Sequence, residues 1–423
     1  MVADFDRYAI ASGDDEDFSH LRSLYIHVPF CRSKCVYCDF DSQPTCSRDA
    51  EVDFERYVDA VITRLDSFGR AGALSHIATV YIGGGTPTIL GELLVRLVDA
   101  VMRWCHPSEF TCEANPESFT PSLAHRLRSH GVTRISLGVQ SFHDNELRAL
   151  GRIHSADEAE RAIRLAASCG FNVSADLMCG VPLQTFESWS ESLSRLIACK
   201  PNHVSVYPLS VEEGTPLDGM IADDPSLEPD EDFQASCMEI ARDRLAASGY
   251  ARYEVASYAL SDKRCRHNIS YWSGTSYLGL GRSASSMLRN SEFQALSSLF
   301  QGVVIDDKVS RVRLTQRDDA ASRFEVDPLT SREAVAEDLM LACRMTDGMA
   351  PELFDAASLY IPRRALDDAC ARAVALGLAT WTDSSADSCS RARRLIPTDR
   401  GWLEGNVLFE LFWDLATGSD SIE

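Results

Sequence analysis

The chain has 423 residues, 45% of them hydrophobic, enough for one large domain and a smaller second one. Its net charge of −22 excludes the basic surplus that nucleic-acid phosphates require and offers no attraction to an anionic membrane. No apolar run approaches the roughly 20 residues of a membrane span, and the N-terminus lacks the apolar core of a secretion signal, so a cytoplasmic protein is predicted.

In chain order, residues 1–20 carry Asp14, Asp15, Glu16 and Asp17 without periodicity and read as a flexible acidic tail. Leu24–Val28 reads as a strand, with Leu24, Ile26 and Val28 on one face and Tyr25 and His27 on the other. It runs into Cys31-Arg-Ser-Lys-Cys35-Val-Tyr-Cys38. Three thiolates in a Cys-x3-Cys-x2-Cys spacing suit a [4Fe–4S] cluster with three cysteine ligands and one iron left open to a small molecule. A zinc site completed by a further Cys or by His27 is the alternative; the asymmetric spacing and the strand-then-loop context weigh against it. For His27, a core histidine and a functional one both remain open. The other cysteines among the 14, such as Cys105, Cys112, Cys169, Cys179 and Cys199, are scattered and read as small buried hydrophobes.

A helix is predicted over 49–68, then a strand over 78–82 ending in Gly83-Gly84-Gly85-Thr86, then a helix over 90–104. The alternation repeats with strands near 110–114, 133–140, 171–177 and 203–207, each followed by a helical pattern, the last at 232–248. Six β/α units over 21–250 predict a parallel sheet with right-handed crossovers, a partial (β/α)6 barrel short of the eight units of a closed one. Such sheets place ligands at the C-terminal ends of their strands. That rule selects Gly84, Gly85, Thr86, Glu113, Gln140 and Asp176. Any one of them alone reads as a capping group; together they suggest one polar ligand across the mouth.

Residues 251–310 are predicted to connect to a second unit. They contain His267-Asn-Ile-Ser-Tyr271-Trp272. A histidine with two aromatics at i+4 and i+5 can face an iron-bearing macrocycle, although an ordinary aromatic loop with a hydrogen-bonded histidine has the same pattern. Residues 311–423 read as a smaller, mainly helical unit with a hairpin, a winged-helix-like fold. The Ser- and Asp-rich stretch 382–390 is its predicted mobile tip. The chain's acidity argues against DNA binding by this unit.

The cysteine triplet, the run Tyr25-Ile-His-Val-Pro-Phe before it and Tyr37 within it resemble the radical S-adenosylmethionine (SAM) superfamily, in its HemN/HemW branch. The resemblance implies that the cluster binds SAM. Tyr25, Tyr37, Gly84, Gly85, Thr86, Glu113, Gln140, Arg152 and Asp176 match SAM-contacting positions, with Arg152 meeting the SAM carboxylate. Where SAM is cleaved, an electron donor is also implied. Two features divide the branch. The porphyrin-forming members, oxygen-independent coproporphyrinogen III dehydrogenases, carry a fourth cysteine two residues after the third; here that position is Phe40. The His-Asn-x2-Tyr-Trp motif is similar to that of HemW-like haem chaperones, which implies haem as cargo, His267, Tyr271 and Trp272 as its binding residues, and acceptor haem proteins, including membrane respiratory enzymes, as partners. The dehydrogenase is the alternative. One stretch departs from the branch pattern Gly-x-Gly-Ala-x-Ala-His-Ser: here Gly279-Leu-Gly-Arg282-Ser283-Ala-Ser285-Ser has Arg282 for alanine and Ser285 for histidine.

Overall fold

A computed structural model describes residues 18–45, 50–382 and 393–417. The acidic segment 1–17 and the predicted hairpin tip at 383–390 lie outside the described residues. Phe18–His20 forms a 3-10 turn, and Phe18 packs against the main core.

The predicted strands appear as β1 (Ser23–Val28), β2 (Thr79–Gly84), β3 (Glu109–Ala114), β4 (Arg134–Gln140), β5 (Asn172–Cys179) and β6 (His203–Pro208). All five neighbouring pairs are parallel. Helices α1 (Ala50–Arg70), α2 (Glu92–Met102), α3 (Pro121–Ser129), α4 (Asp144–Ala149), α5 (Ala156–Ser168), α6 (Phe186–Cys199), α7 (Pro216–Asp223) and α8 (Glu231–Ala247) make the crossovers and cover the sheet. Leu24, Ile26 and Val28 are fully buried in the main core with α1 residues Val58, Val61 and Leu65. The alternation of β1 thereby leaves Tyr25 and His27 to the barrel interior. Cys105, Cys112, Cys179 and Cys199 are buried, whereas Cys169 at the end of α5 is only partly so.

Local chemistry sets the helix starts. Ser155 caps α5, accepting from the Glu158 N–H, while the Glu158 carboxylate takes the Ser155 N–H at 2.8 Å. The turn that carries Arg152 lies just before this capping box, closed by the Arg152 N–H donating to the Leu147 carbonyl at 2.9 Å. Ser155→Ala is expected to lower the unfolding free energy by about 1 kcal/mol, read from the shift of a urea midpoint.

The sheet extends beyond the six strands on both sides. Residues 251–310, predicted as a connection, hold β7 (Ala251–Arg252), β8 (Ser257–Ala259), α9 (Arg266–Trp272), β9 (Tyr277–Leu280), β10 (Ser285–Arg289) and α10 (Asn290–Leu296). With β11 (Arg311–Gln316) and β12 (Phe324–Leu329), the order is β12-β11-β10-β9-β1-β2-β3-β4-β5-β6-β8-β7. Strand β9 lies parallel to β1. The order has two ends, so the sheet does not close.

The helical unit has its own core, from Val335 to Leu415. It comprises α11 (Ser331–Ala342), α12 (Pro351–Ala357), α13 (Arg363–Ala375), the antiparallel hairpin β13 (Ala379–Trp381) with β14 (Leu395–Pro397), α14 (Asp399–Leu403) and α15 (Gly405–Trp413). Arg311 of β11 docks it on the sheet through a bidentate pair with Asp338 of α11, both N···O distances 2.6 Å.

A candidate cofactor site at the mouth of the barrel

The cysteine loop follows β1 and folds over the strand ends. A cavity of about 320 Å³ opens beneath it, lined by Cys31, Cys35, Cys38 and Tyr37 on the loop side and by Gly84, Gly85, Thr86, Glu113, Gln140, Arg152 and Asp176 on the barrel side. Eleven of the predicted cofactor residues therefore share one chamber, at the C-terminal ends of the strands. Tyr25 is set apart. Its ring lies against Tyr81, with centroids 6.2 Å apart, and its hydroxyl meets His27 Nδ1 at 3.0 Å; it supports the wall and does not form it.

The glycine triplet is imposed by close packing. Gly84 has φ of 106°, and a Cβ there would lie 2.5 Å from the His27 ring; at Gly85 it would lie 2.4 Å from the Phe30 carbonyl oxygen. The strand end is thereby pressed against the root of the cysteine loop, the Gly85 and Thr86 N–H groups donating to the Val28 and Phe30 carbonyls at 2.8 and 2.7 Å. Thr86 links the two sides, donating to Cys31 Sγ at 3.6 Å and accepting from Asn115 Nδ2 at 3.0 Å. At the end of β4 the pairing register shifts between Gly138 and Gln140, and Gln140 adopts φ of 66°. Such a bulge re-aims a side chain, here toward the chamber.

Arg152 spans the chamber wall. It donates to Cys35 Sγ at 3.4 Å, to Asn115 Oδ1 at 3.2 Å and to the Gly138 carbonyl. Its Nε is buried and has no hydrogen-bond partner among the described residues. Glu113 accepts from the Tyr81 hydroxyl at 2.6 Å and from the Gly84 N–H at 3.0 Å. Burial pushes its carboxyl up to about 7, against those two bonds, and the charge of Asp176 adds to the rise. Burial likewise raises Asp176 to about 6. What surface these carboxyls expose faces the chamber. Burial also raises the thiols of Cys31 and Cys38 above their ordinary range.

Among the described residues no three His, Cys, Asp or Glu side chains converge on a single metal ion. The three free thiols instead line one chamber wall, which fits a cluster that takes its cysteines on separate irons. The chamber volume suits a small polar molecule. Its donors and acceptors, an arginine, two carboxyls and an amide, match the carboxylate, ammonium and hydroxyls of SAM.

Asn115, Ser136, Gly138, Met178 and Tyr207 also line the chamber and were not singled out from the sequence. Ser136 and Gly138 precede Gln140 at strand period, and Asn115 stands two residues after Glu113, so the alternation that selects Glu113 and Gln140 also points to them. His27 proves to be a structural tie: its Nε2 meets the Asp41 carbonyl at 3.1 Å.

His267, Tyr271 and Trp272 do not join this site. They lie on α9, which plugs the opposite end of the barrel. The His267 N–H donates to Glu109, the first residue of β3, at 3.0 Å, and its Nδ1 meets Thr79, the first residue of β2, at 3.0 Å. Its Nε2 meets the Tyr271 hydroxyl at 3.0 Å. The histidine is 1% exposed, and burial, with the charge of Arg134, pulls it down to about 3. In this conformation neither ring nitrogen is offered to a ligand. Trp272 sits beneath Arg344 of the helical unit, whose guanidinium carbon is 5.0 Å from the ring centroid.

The sequence profile of the radical SAM superfamily matches residues 25–196. Curated relatives include the protein named Heme chaperone HemW of Escherichia coli K12, 37% identical over 264 residues, covering 61% of this chain and 68% of that one. The Bacillus subtilis protein of the same name is 30% identical over 340 residues, covering 79% and 86%. Among solved structures, the coproporphyrinogen III oxidase HemN of Escherichia coli, described as a radical SAM enzyme, aligns with a TM-score of 0.71 over 94% of this chain and 91% of that one, at 19% identity. At that identity the likeness is one of fold.

Proposed function

Because the chain belongs to the radical SAM superfamily, in the family of the proteins named HemW, we propose that it is a haem chaperone that binds haem and passes it to acceptor haem proteins, carrying a [4Fe–4S] cluster and SAM. The observation that carries the reading is the single chamber shared by three thiols and the strand-end polar groups, in a chain whose curated relatives are named for haem chaperoning. Phe40 supports the chaperone over the dehydrogenase. It is 57% exposed on the cysteine loop, where the porphyrin-forming enzymes have a fourth thiol.

Cys31, Cys35 and Cys38 would hold the cluster. Arg152 takes the SAM carboxylate, Glu113 and Asp176 accept from its ammonium or ribose hydroxyls, and Gln140, Gly84, Gly85 and Thr86 complete the wall beside Tyr37. A bound cluster supplies one-electron chemistry at the sulfonium. The protein's part is to orient the ligand, exclude water and keep the two carboxyls ready to lose a proton to the solvent as the cationic ligand enters.

Haem is placed by the carried-over motif at His267, Tyr271 and Trp272. Ligation by His267 requires its ring to leave Thr79 and Tyr271, and so requires α9 to shift. The test is haem titration of the anaerobically reconstituted chain, with and without SAM, followed in the Soret band. The parent is expected to bind, and His267→Ala, which removes an axial iron ligand, to bind at least about tenfold more weakly, a loss of ~1.4 kcal/mol or more. Unchanged binding in the variant removes His267 as the ligand. A parent that binds no haem, but forms protoporphyrinogen from coproporphyrinogen with SAM and a reductant, overturns the chaperone reading in favour of the dehydrogenase.

A further inference from the structure

The stretch that departs from the branch pattern is the turn between β9 and β10, and it reaches the cysteine loop. Arg282 Nε lies 3.0 Å from Asp41 Oδ2. The Ser283 hydroxyl donates to the same oxygen at 2.6 Å. Asp41 stands three residues after Cys38, at the exit of the loop. Its carbonyl is the atom that His27 Nε2 meets at 3.1 Å. A carbonyl only accepts, so Nε2 carries the hydrogen, and Nδ1 of the neutral ring accepts from Tyr25. The loop exit is thus held at two atoms of one residue: the carbonyl from β1, and the carboxylate from a turn more than 200 residues later in the chain.

The turn is braced to bear this. Ser283 is held at φ of 65°, its N–H donating to the Gln316 carbonyl at 2.7 Å. Gly281, at φ of 97°, passes so close to Tyr57 that a Cβ would lie 2.2 Å from the phenol oxygen. Tyr57 in turn donates to the His27 carbonyl. The turn, α1 and β1 therefore form one packed unit. Arg282 is 19% exposed and Asp41 39%. An ion pair of this kind is weak alone, and Arg282 Nε makes no aligned hydrogen bond to the carboxylate; it acts through its charge, and the short Ser283 hydroxyl bond to the same oxygen supplies the direction.

We propose that Arg282 and Ser283 are positioning residues for the iron–sulfur cluster, locking the exit of the cysteine loop through Asp41. The inference rests on the cluster reading above. Beyond the lock the chain is anchored again, Gln43 N–H donating to the Pro29 carbonyl at 2.9 Å and Thr45 N–H to the Cys31 carbonyl at 2.8 Å. Without the lock, the stretch between Cys38 and that anchor keeps only His27 and the exposed bond from Lys34 Nζ to the Phe40 carbonyl, 3.2 Å, and the third thiol loses its fixed distance from the other two.

The test uses the full chain in two states. In the chain without cluster, amide hydrogen exchange over 38–42 is expected to quicken about tenfold in the Arg282→Ala/Ser283→Ala double variant, the order of one charged hydrogen bond. In the reconstituted chain, the same variant is expected to release iron to a ferrous chelator about tenfold faster and to show an altered EPR line shape in the reduced cluster. Arg282→Lys, which keeps the charge, is expected to restore most of the parent behaviour. Asp41→Asn, which keeps the shape and removes the charge, is expected to move all three readouts in the direction of the double variant. Exchange, iron release and EPR that match the parent in both the double variant and Asp41→Asn overturn the proposal. A parent that takes up no iron overturns the cluster reading instead, and the exchange measurement still decides whether the lock exists.

Discussion

Arg152→Ala is expected to bind SAM about 100-fold more weakly than the parent while keeping its iron. Among the described residues the guanidinium is the one arginine on the chamber wall, and three of its bonds, to Cys35 Sγ, Asn115 Oδ1 and the Gly138 carbonyl, aim its plane across the space. Burial opposes its charge, but Tyr37, Cys35 and Glu117 around it hold the arginine well above its ordinary range, so the cation persists at any accessible pH. A charge-assisted hydrogen bond is worth about 1.5–3 kcal/mol, and a carboxylate that loses its partner in a confined site loses roughly two decades of affinity at about 1.4 kcal/mol per decade. Isothermal titration of the reconstituted chain reads the affinity, and visible absorbance reads the cluster. Affinity within threefold of the parent would show that the SAM carboxylate is held elsewhere. Arg152→Lys keeps the charge without the planar fork and is expected to fall between the two.

The six parallel strands and the strand-end groups of the chamber were legible because a parallel β/α chain repeats one rule: strand alternation selects a face and strand ends collect the ligand groups. Glu113, Gln140 and Asp176 each sit where that rule points. Tyr25, matched to the SAM site by the resemblance, is placed by alternation only on the interior side, and alternation does not say how deep a side chain lies. Tyr81 and Glu113 fill the space between Tyr25 and the chamber. Residues 277–289 were not legible as strands. Gly279, Gly281 and the serines around them have low strand propensity, and the pairing is imposed by neighbours: β9 lies on β1, and Gly279 is pressed so tightly against Ser285 that a Cβ would meet its carbonyl oxygen at 2.2 Å. His267 and Tyr271, four residues apart, share one face of α9, where they meet at 3.0 Å. That the face turns inward depends on Glu109 and Thr79, some 160 and 190 residues earlier, and no local pattern carries that information.

SAM binding is expected to strengthen with pH across neutrality, through Glu113. Its carboxyl is raised from the ordinary 4.5 to about 7, first by burial, then by Asp176 across the chamber, and the Tyr81 and Gly84 bonds and the charge of Arg134 only partly offset the rise. The free chain is therefore about half protonated here near neutral pH. A ligand ammonium or hydroxyl donates to the carboxylate, so binding expels the proton. Below about 7 the affinity should fall by up to tenfold per pH unit, and above it the affinity should level off. Asp176, raised to about 6, faces the same ligand, so the two carboxyls titrate as a coupled pair and the transition spreads over both values. Stability runs the opposite way. The folded state holds the Glu113 proton more tightly than the unfolded one, so this group's contribution is present below the unfolded value and is lost as pH rises toward 7. Glu113→Gln mimics the protonated form. It should bind SAM weakly at every pH, flatten the Glu113 part of the profile, and leave the chain at least as stable as the parent at pH 8. A titration series from pH 5.5 to 8.5 on parent and variant decides the point. A parent profile that is flat, or a variant profile that keeps the parent's slope, removes Glu113 as the group that meets the ligand's positive charge.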